Sequence, residues 1–210
     1  MCALTGVELQ ILSGAVEAEA SFRGATFEAP KTRGRIAVVD VGGGSTECAV
    51  GSAGELTGAC SIEVGSVRLG ERYPELLGAM PGEPARAAAA AARIELAALL
   101  VPFAQYAHVS EARCVAGTPL TLAAVATASH ADSVSGTSLT LAALDATLER
   151  LLDIDLEARR ALPGMLTQRA DILVAGGLIL AAALRALGVA EARLEVNDLL
   201  LGFLLMQPQR

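Results

Sequence analysis

Val39-Asp40-Val41-Gly42-Gly43-Gly44-Ser45-Thr46-Glu47 decides the reading of this chain. An apolar run from Ile36 to Val41 ends beside an acid, breaks into three glycines and two hydroxyls, and gives way to a second strand-like run, Cys48 to Val50. The pattern predicts a β-hairpin whose tip brings backbone N–H groups against an anion. Glycine lacks the β-carbon that would block such an approach, and successive free amides make a concave anion cradle. Asp40 and Glu47 stand at either end, placed to hold a Mg2+ directly or through its waters. The chemistry implied is phosphate handling.

Outward from the turn, the pattern continues as an α/β domain. Strands are expected over 36–41, 46–51 and about 56–64, followed by Gly65-Ser66-Val67-Arg68 leading into a short helix that ends near Pro74. Pro84 opens a long alanine-rich helix, expected to run from Ala85 to Tyr106 and to kink or end at Pro102. Arg113–Ala116 reads as a strand, Gly117 to about Ala128 as a helix, Ser129–Ser138 as a polar loop, and Leu139–Leu152 as a helix capped by Thr137 or Ser138. Leu156–Leu162 is a short helix. Arg169–Leu187 is the most apolar helix, closed by Gly188. A strand at Ala192–Val196 and a helix at Asp198–Met206 end the pattern. Upstream, Glu8–Leu12 alternates like a strand and Ala15–Phe22 is helix-like. Together these describe a mixed sheet with an antiparallel three-strand start, flanked by helices.

Composition excludes several classes. The 210 residues are 53% hydrophobic but only 3% aromatic, so Ala, Leu and Val must fill the core. The apolar run Ile172–Leu184 ends at Arg185, too short to span a bilayer. A net charge of −7, with no basic-aromatic patch, argues against nucleic acid as a partner. A polyanionic substrate would need local arginines and a divalent cation. Cys2, Cys48, Cys60 and Cys114 are scattered without metal-ligand spacing, as buried thiols of a cytoplasmic protein would be. The start of the chain has neither the basic region nor the apolar core of a signal peptide. His108 and His130 stand in polar contexts and are expected at the surface.

Asp40-Val41-Gly42-Gly43-Gly44-Ser45-Thr46-Glu47 resembles the D-I-G-G-G-S-T-E signature of the exopolyphosphatase and guanosine pentaphosphate phosphatase (Ppx/GppA) family. Four further segments are similar to that family in the same order: Ser13-Gly14-Ala15-Val16-Glu17-Ala18, Gly65-Ser66-Val67-Arg68-Leu69, Gly117-Thr118-Pro119-Leu120-Thr121-Leu122-Ala123, and Arg169-Ala170-Asp171-Ile172 through Gly176 to Ile179-Leu180. The resemblance implies an actin-like (ribonuclease H-like) fold and a phosphohydrolase releasing terminal phosphate from polyphosphate or guanosine pentaphosphate with Mg2+ or another divalent cation. It implies Glu17 as the catalytic base. Glu47 would orient water or hold the metal, and Asp40 would hold the metal or its water. Gly42, Gly43, Gly44 and Ser45 or Thr46 would cradle phosphate, with Arg68, Gly117 and Thr118 as further phosphate contacts. Arg169, beside Asp171, reads as a structural ion pair.

Departures accompany the match. Val16 replaces a glutamate of the family pattern, Glu19 stands where an arginine is common, and Ala116 replaces the first glycine of a G-G-T. Family members resemble two actin-like domains, and the first phosphate loop, D-x-G-[ST]-N-[ST], does not occur before Asp40. Residues 1–30 are therefore expected to be a remnant of the first domain and 31–210 the second. A strand at 8–12 without its sheet is expected to be disordered or to pair with a second copy of the chain. The competing expectation is a polyphosphate- or alarmone-binding half-domain, inactive without the first domain. An ATP-using kinase or chaperone of the same fold has no supporting feature.

Overall fold

The structure, a computed structural model, describes residues 12–28, 34–52 and 55–207. The strand anticipated at 8–12 lies outside these apart from Leu12. Six strands form one sheet in the order β3-β2-β1-β4-β6-β5. β1 (Ile36–Val41), β2 (Thr46–Ser52) and β3 (Glu55–Ile62) make an antiparallel meander. β4 (Glu111–Val115) lies parallel to β1, β6 (Glu191–Leu194) parallel to β4, and β5 (Ser138–Thr140) antiparallel to β6.

The period of two along β1 sends side chains to two cores. Ala37, Val39 and Val41 join Cys48, Val50 and Cys114 on one face. That face is covered by helices α2 (Ser66–Arg72), α3 (Glu83–Leu99), α4 (Gly117–Thr127), α5 (Leu141–Leu152) and α7 (Leu173–Leu187), with the short α6 (Leu156–Arg160) between the last two. Ile36 and Val38 join Ala49 and Val115 on the other face, under Ala18, Phe22 and Ala25 of α1 (Gly14–Thr26). Fully buried leucines such as Leu178, Leu180 and Leu184 each contribute about 1.5–3 kcal/mol of transfer free energy. The last helix, α8 (Leu199–Met206), crosses α1 at two glycines. A β-carbon on Gly202 would fall 1.6 Å from the Ala20 carbonyl oxygen, and one on Gly24 would fall 2.0 Å from that of Asp198. Residues near both ends of the chain are thereby locked over the glycine-turn strands.

Most predicted elements stand where periodicity places them. The long alanine-rich helix ends before Pro102, one of the two outcomes expected there: it stops at Leu99, and Val101–Tyr106 is a separate 3-10 turn, because Pro102 cannot supply the N–H a continuing helix requires. Two elements are corrected. Ser138–Thr140 is a strand, and α5 starts two residues later than expected. Its cap is Thr140, whose hydroxyl accepts the Ala143 N–H at 3.1 Å. Arg169 is outside the apolar helix, in a 3-10 turn at Thr167–Arg169. Gly188 closes α7 at φ 70°, as its position predicts. Among the described residues no helix is long and apolar enough to cross a membrane.

Candidate active site

The glycine turn joins β1 to β2 where Val41 pairs with Thr46, closing on a Gly42 N–H to Ser45 carbonyl bond of 3.0 Å. Behind it stands the start of α2. The N–H groups of Ser66, Val67 and Arg68 donate to the carbonyls of Gly42 and Gly43 at 2.9, 3.0 and 3.2 Å, and the Ser66 hydroxyl donates to Gly42 at 3.1 Å. The positive end of α2 is thus engaged by the carbonyl side of the turn. Gly65 permits the approach, since a β-carbon there would lie 2.4 Å from the Gly43 carbonyl carbon. With their carbonyls held back, the N–H groups of Gly43, Gly44 and Ser45 have no acceptor among the described residues. They are available to an anion.

Asp40 and Glu47 are directly paired residues on β1 and β2, on the sheet face that α1 covers. The Ser21 hydroxyl of α1 donates to Asp40 Oδ2 at 2.8 Å, and the Ser61 hydroxyl of β3 donates to Glu47 Oε1 at 2.6 Å. Burial pushes the Asp40 carboxyl above its usual range. Its bond from Ser21 opposes that rise, the Asp198 and Glu17 carboxylates add to it, and the Arg169 guanidinium offsets part of it. Burial likewise raises Glu47; the Ser61 and Ser45 hydroxyls work against it, and Asp40 and Glu17 push it further. Glu17 lies in the first turn of α1, close enough to act on both acids. Glu19, its neighbour on the helix, is occupied by Arg23 at 2.8 Å.

These acids suit a hard cation. Neither Asp40 nor Glu47 forms an ion pair among the described residues, and both carry carboxylate oxygens in a setting that disfavours uncompensated charge. No group of three or more His, Cys, Asp or Glu among the described residues is placed to enclose a metal. Mg2+ needs no such cage: it is held by one or two carboxylates and keeps waters and phosphate oxygens for its other positions.

The remaining predicted residues divide. The Arg68 guanidinium lies beside Gly44, whose β-carbon would be 3.6 Å from its Nε, and pairs with the exposed Glu63. Gly117 opens α4 at the end of β4. Thr118 is buried, its side chain filling the space where Gly176 of α7 has none. Thr46 is a correction to its anticipated phosphate contact: its buried hydroxyl donates to the Val64 carbonyl at 2.6 Å, because side chains at odd offsets from Glu47 face the opposite core. Ser45 is left as the turn hydroxyl. His108 and His130 are exposed.

Arg169 is the residue the sequence pattern misjudged. The anticipated pairing with Asp171 is not made: Asp171 Oδ1 accepts the Ile172 N–H at 2.9 Å. Arg169 forms no ion pair among the described residues and instead lies over Gly117, where a β-carbon would come within 2.4 Å of its Nε. It reaches far enough to act on Asp40. Ser21, Ser61 and Asp198 carry no signal in the sequence, since isolated serines and a helix cap have no motif of their own.

The fold and site define an actin-like α/β domain, and the comparisons identify its family. The Ppx/GppA phosphatase family model matches residues 3–197, and the chain belongs to that family. Exopolyphosphatase 2 of Mycobacterium tuberculosis is 33% identical over 213 aligned positions, covering 97% of this chain. The chain spans 65% of the length of that relative. The crystal structure of the Aquifex aeolicus Ppx/GppA family member superposes with a TM-score of 0.82 at 22% identity, over 97% of this chain and 65% of that one. An exopolyphosphatase from Cytophaga hutchinsonii gives 0.81 at 22% identity, over 97% and 66%. At such identities the structural likeness speaks for the fold alone.

Proposed function

We propose that this chain carries the hydrolytic centre of a phosphoanhydride hydrolase that releases terminal phosphate from inorganic polyphosphate. The observation that carries the reading is the set of turn amides without acceptors among the described residues, Gly43 to Ser45, next to the half-buried Asp40 and the buried Glu47, neither of which has a cationic partner among those residues. The turn amides, the Ser45 hydroxyl, and the Arg68 and Arg169 guanidiniums bind the phosphoryl oxygens and oppose their charge. The N-terminus of α4 at Gly117 and Thr118 adds a positive helix end. Asp40 and Glu47 would hold Mg2+, which when bound supplies charge neutralisation at the phosphoryl oxygens. Glu17 accepts the proton of the attacking water as that water meets the terminal phosphorus, and the chain shortened by one phosphate departs.

Guanosine pentaphosphate presents the same terminal anhydride and is the second substrate this reading admits. The relatives' greater length supports a further element: the missing third is a first actin-like domain whose own phosphate loop closes the cleft, with residues 1–30 its remnant and 31–210 the second domain. On that arrangement the chain alone binds polyphosphate and turns it over poorly. The reaction belongs to the cytoplasm, and pairing of copies through residues 8–12 would cover an otherwise open edge. Phosphate release from polyphosphate by the full-length protein tests the reading. Glu17→Gln is expected to lower kcat by about 100-fold or more with little change in KM. Unchanged turnover would remove Glu17 as base.

A further inference from the structure

Within the site just proposed, the two acids are held in an unusual way. Two other half-buried acids are met by an arginine: Arg113 donates to Glu195 at 2.9 Å and to Glu111 at 2.7 Å. Asp40 and Glu47 are met by serines instead. A hydroxyl orients a carboxylate without neutralising it, whereas a guanidinium would compete with any cation for the same charge. The two hydroxyls come from different elements, α1 and β3, and each takes one oxygen of its acid.

The backbone around them is shaped to bring the hydroxyls in. Ser21 is 1% exposed on the face of α1 that meets β1. Ser61 stands directly opposite Glu47 across the β2–β3 ladder. It abuts Gly14, the first residue of α1, where a β-carbon would lie 2.8 Å from both Ser61 Cβ and Ser61 Oγ and 3.9 Å from Glu47 Oε1. Glycine at 14 thus lets the first turn of α1, which carries Glu17, close against the Ser61–Glu47 pair. One helix sets three things together: the Ser21 bond to Asp40, the space for the Ser61 bond to Glu47, and the position of Glu17.

We propose that Ser21 and Ser61 are positioning residues for the two-carboxylate cation site, each fixing one oxygen of Asp40 or Glu47 so that the pair binds a divalent ion in a single arrangement. This rests on the function proposed above, and its test separates the two. Mn2+ is the probe, titrated into the 210-residue chain with inorganic phosphate present and read by electron paramagnetic resonance of the free ion. Partners of metal ligands typically cost about 10–100-fold in metal affinity when removed, so Ser61→Ala and Ser21→Ala are each expected to weaken Mn2+ by that factor.

Ser61 is solvent-exposed, so its alanine variant is expected to keep the wild-type circular dichroism, with a melting temperature lowered only by the loss of its bond to Glu47. Gly14→Ala, which keeps the hydroxyl but displaces it, should reproduce the loss. Thr57→Ala, on the same strand but bonded to the Val50 carbonyl at 3.0 Å, should not. In the full-length protein the serine variants should lower kcat at limiting Mg2+ and recover at high Mg2+ with KM for polyphosphate unchanged. Wild-type Mn2+ affinity in both serine variants would overturn the positioning role while leaving the proposed function standing. No Mn2+ binding by the wild-type chain would overturn both.

Discussion

Replacing Gly65 with alanine asks how firmly α2 holds the glycine turn. Gly65 has φ −137° and ψ 173°, an extended backbone any residue adopts, so the cost is steric and not conformational. The new β-carbon would meet the Gly43 carbonyl carbon at 2.4 Å, its oxygen at 2.5 Å and the Gly44 nitrogen at 2.6 Å. All three are backbone atoms, and no side chain can rotate out of the way. Ordinary contact begins at 3.4 Å, so helix and turn must part by about 1 Å. That movement breaks the three N–H bonds from Ser66, Val67 and Arg68, now 2.9 to 3.2 Å long.

At a net value of about 0.5–1.5 kcal/mol each, their loss predicts a destabilisation of about 1.5–4.5 kcal/mol, read from the urea midpoint. On the proposed function, displacing the turn by about 1 Å should also cost about 100-fold in polyphosphate turnover. Gly82→Ala is the control. It meets nothing within 4 Å but has φ 82°, so it should lose about 1–3 kcal/mol through backbone strain while leaving phosphate release intact. Stability of Gly65→Ala within about 0.5 kcal/mol of wild type, with normal turnover, would refute the packing argument.

Three other outcomes follow from the same geometry. Asp40 titrates above its ordinary value of 3.8, so its contribution to stability is full below that value and lost as pH rises through the raised folded value. Asp40→Asn should accordingly melt above wild type at pH 7.5 in a chelator, with the gap closing near pH 3.5; a gap that does not depend on pH would count against buried charge as the cause. Ala116 sits at φ 69° and ψ −177°, a region that favours glycine, immediately before α4. Ala116→Gly should gain about 0–2.5 kcal/mol, strain of about 1–3 less about 0.5–1 for the entropy of the added glycine, and a loss in calorimetry would contradict the strain. Arg159 is fully buried, its pKa pushed down to about 10 by burial, and donates to the carbonyls of Leu151 at 3.0 Å and Leu76 at 2.7 Å. Arg159→Met should cost about 1–3 kcal/mol per carbonyl orphaned, and an unchanged denaturation midpoint would show that those bonds contribute nothing.

The β1–turn–β2 unit was legible because its information is local. Period-two apolar residues set the strands, three consecutive glycines set the turn, and Asp40 and Glu47 become neighbours through hairpin register alone. The helix ends at Gly188 and Pro84 were readable for the same reason. Thr46 shows the limit of such reading. Next to Glu47 in sequence, it points into the opposite core, a consequence of strand alternation that a motif match ignores.

Sequence by itself determined the sheet's hairpin start, the glycine turn and the two acids at its ends, because residues adjacent in the chain are adjacent in space across a tight turn. Only the tertiary structure decided that α2 turns the loop's amides outward by binding its carbonyls, that Arg169 faces Gly117 in place of Asp171, and that serines from α1 and β3 hold the acids. Those contacts join positions from 14 to 68 and bring in 169, a hundred residues further along the chain. Their geometry depends on how helices seat against the sheet, and that seating is set by packing between elements, which no local pattern encodes.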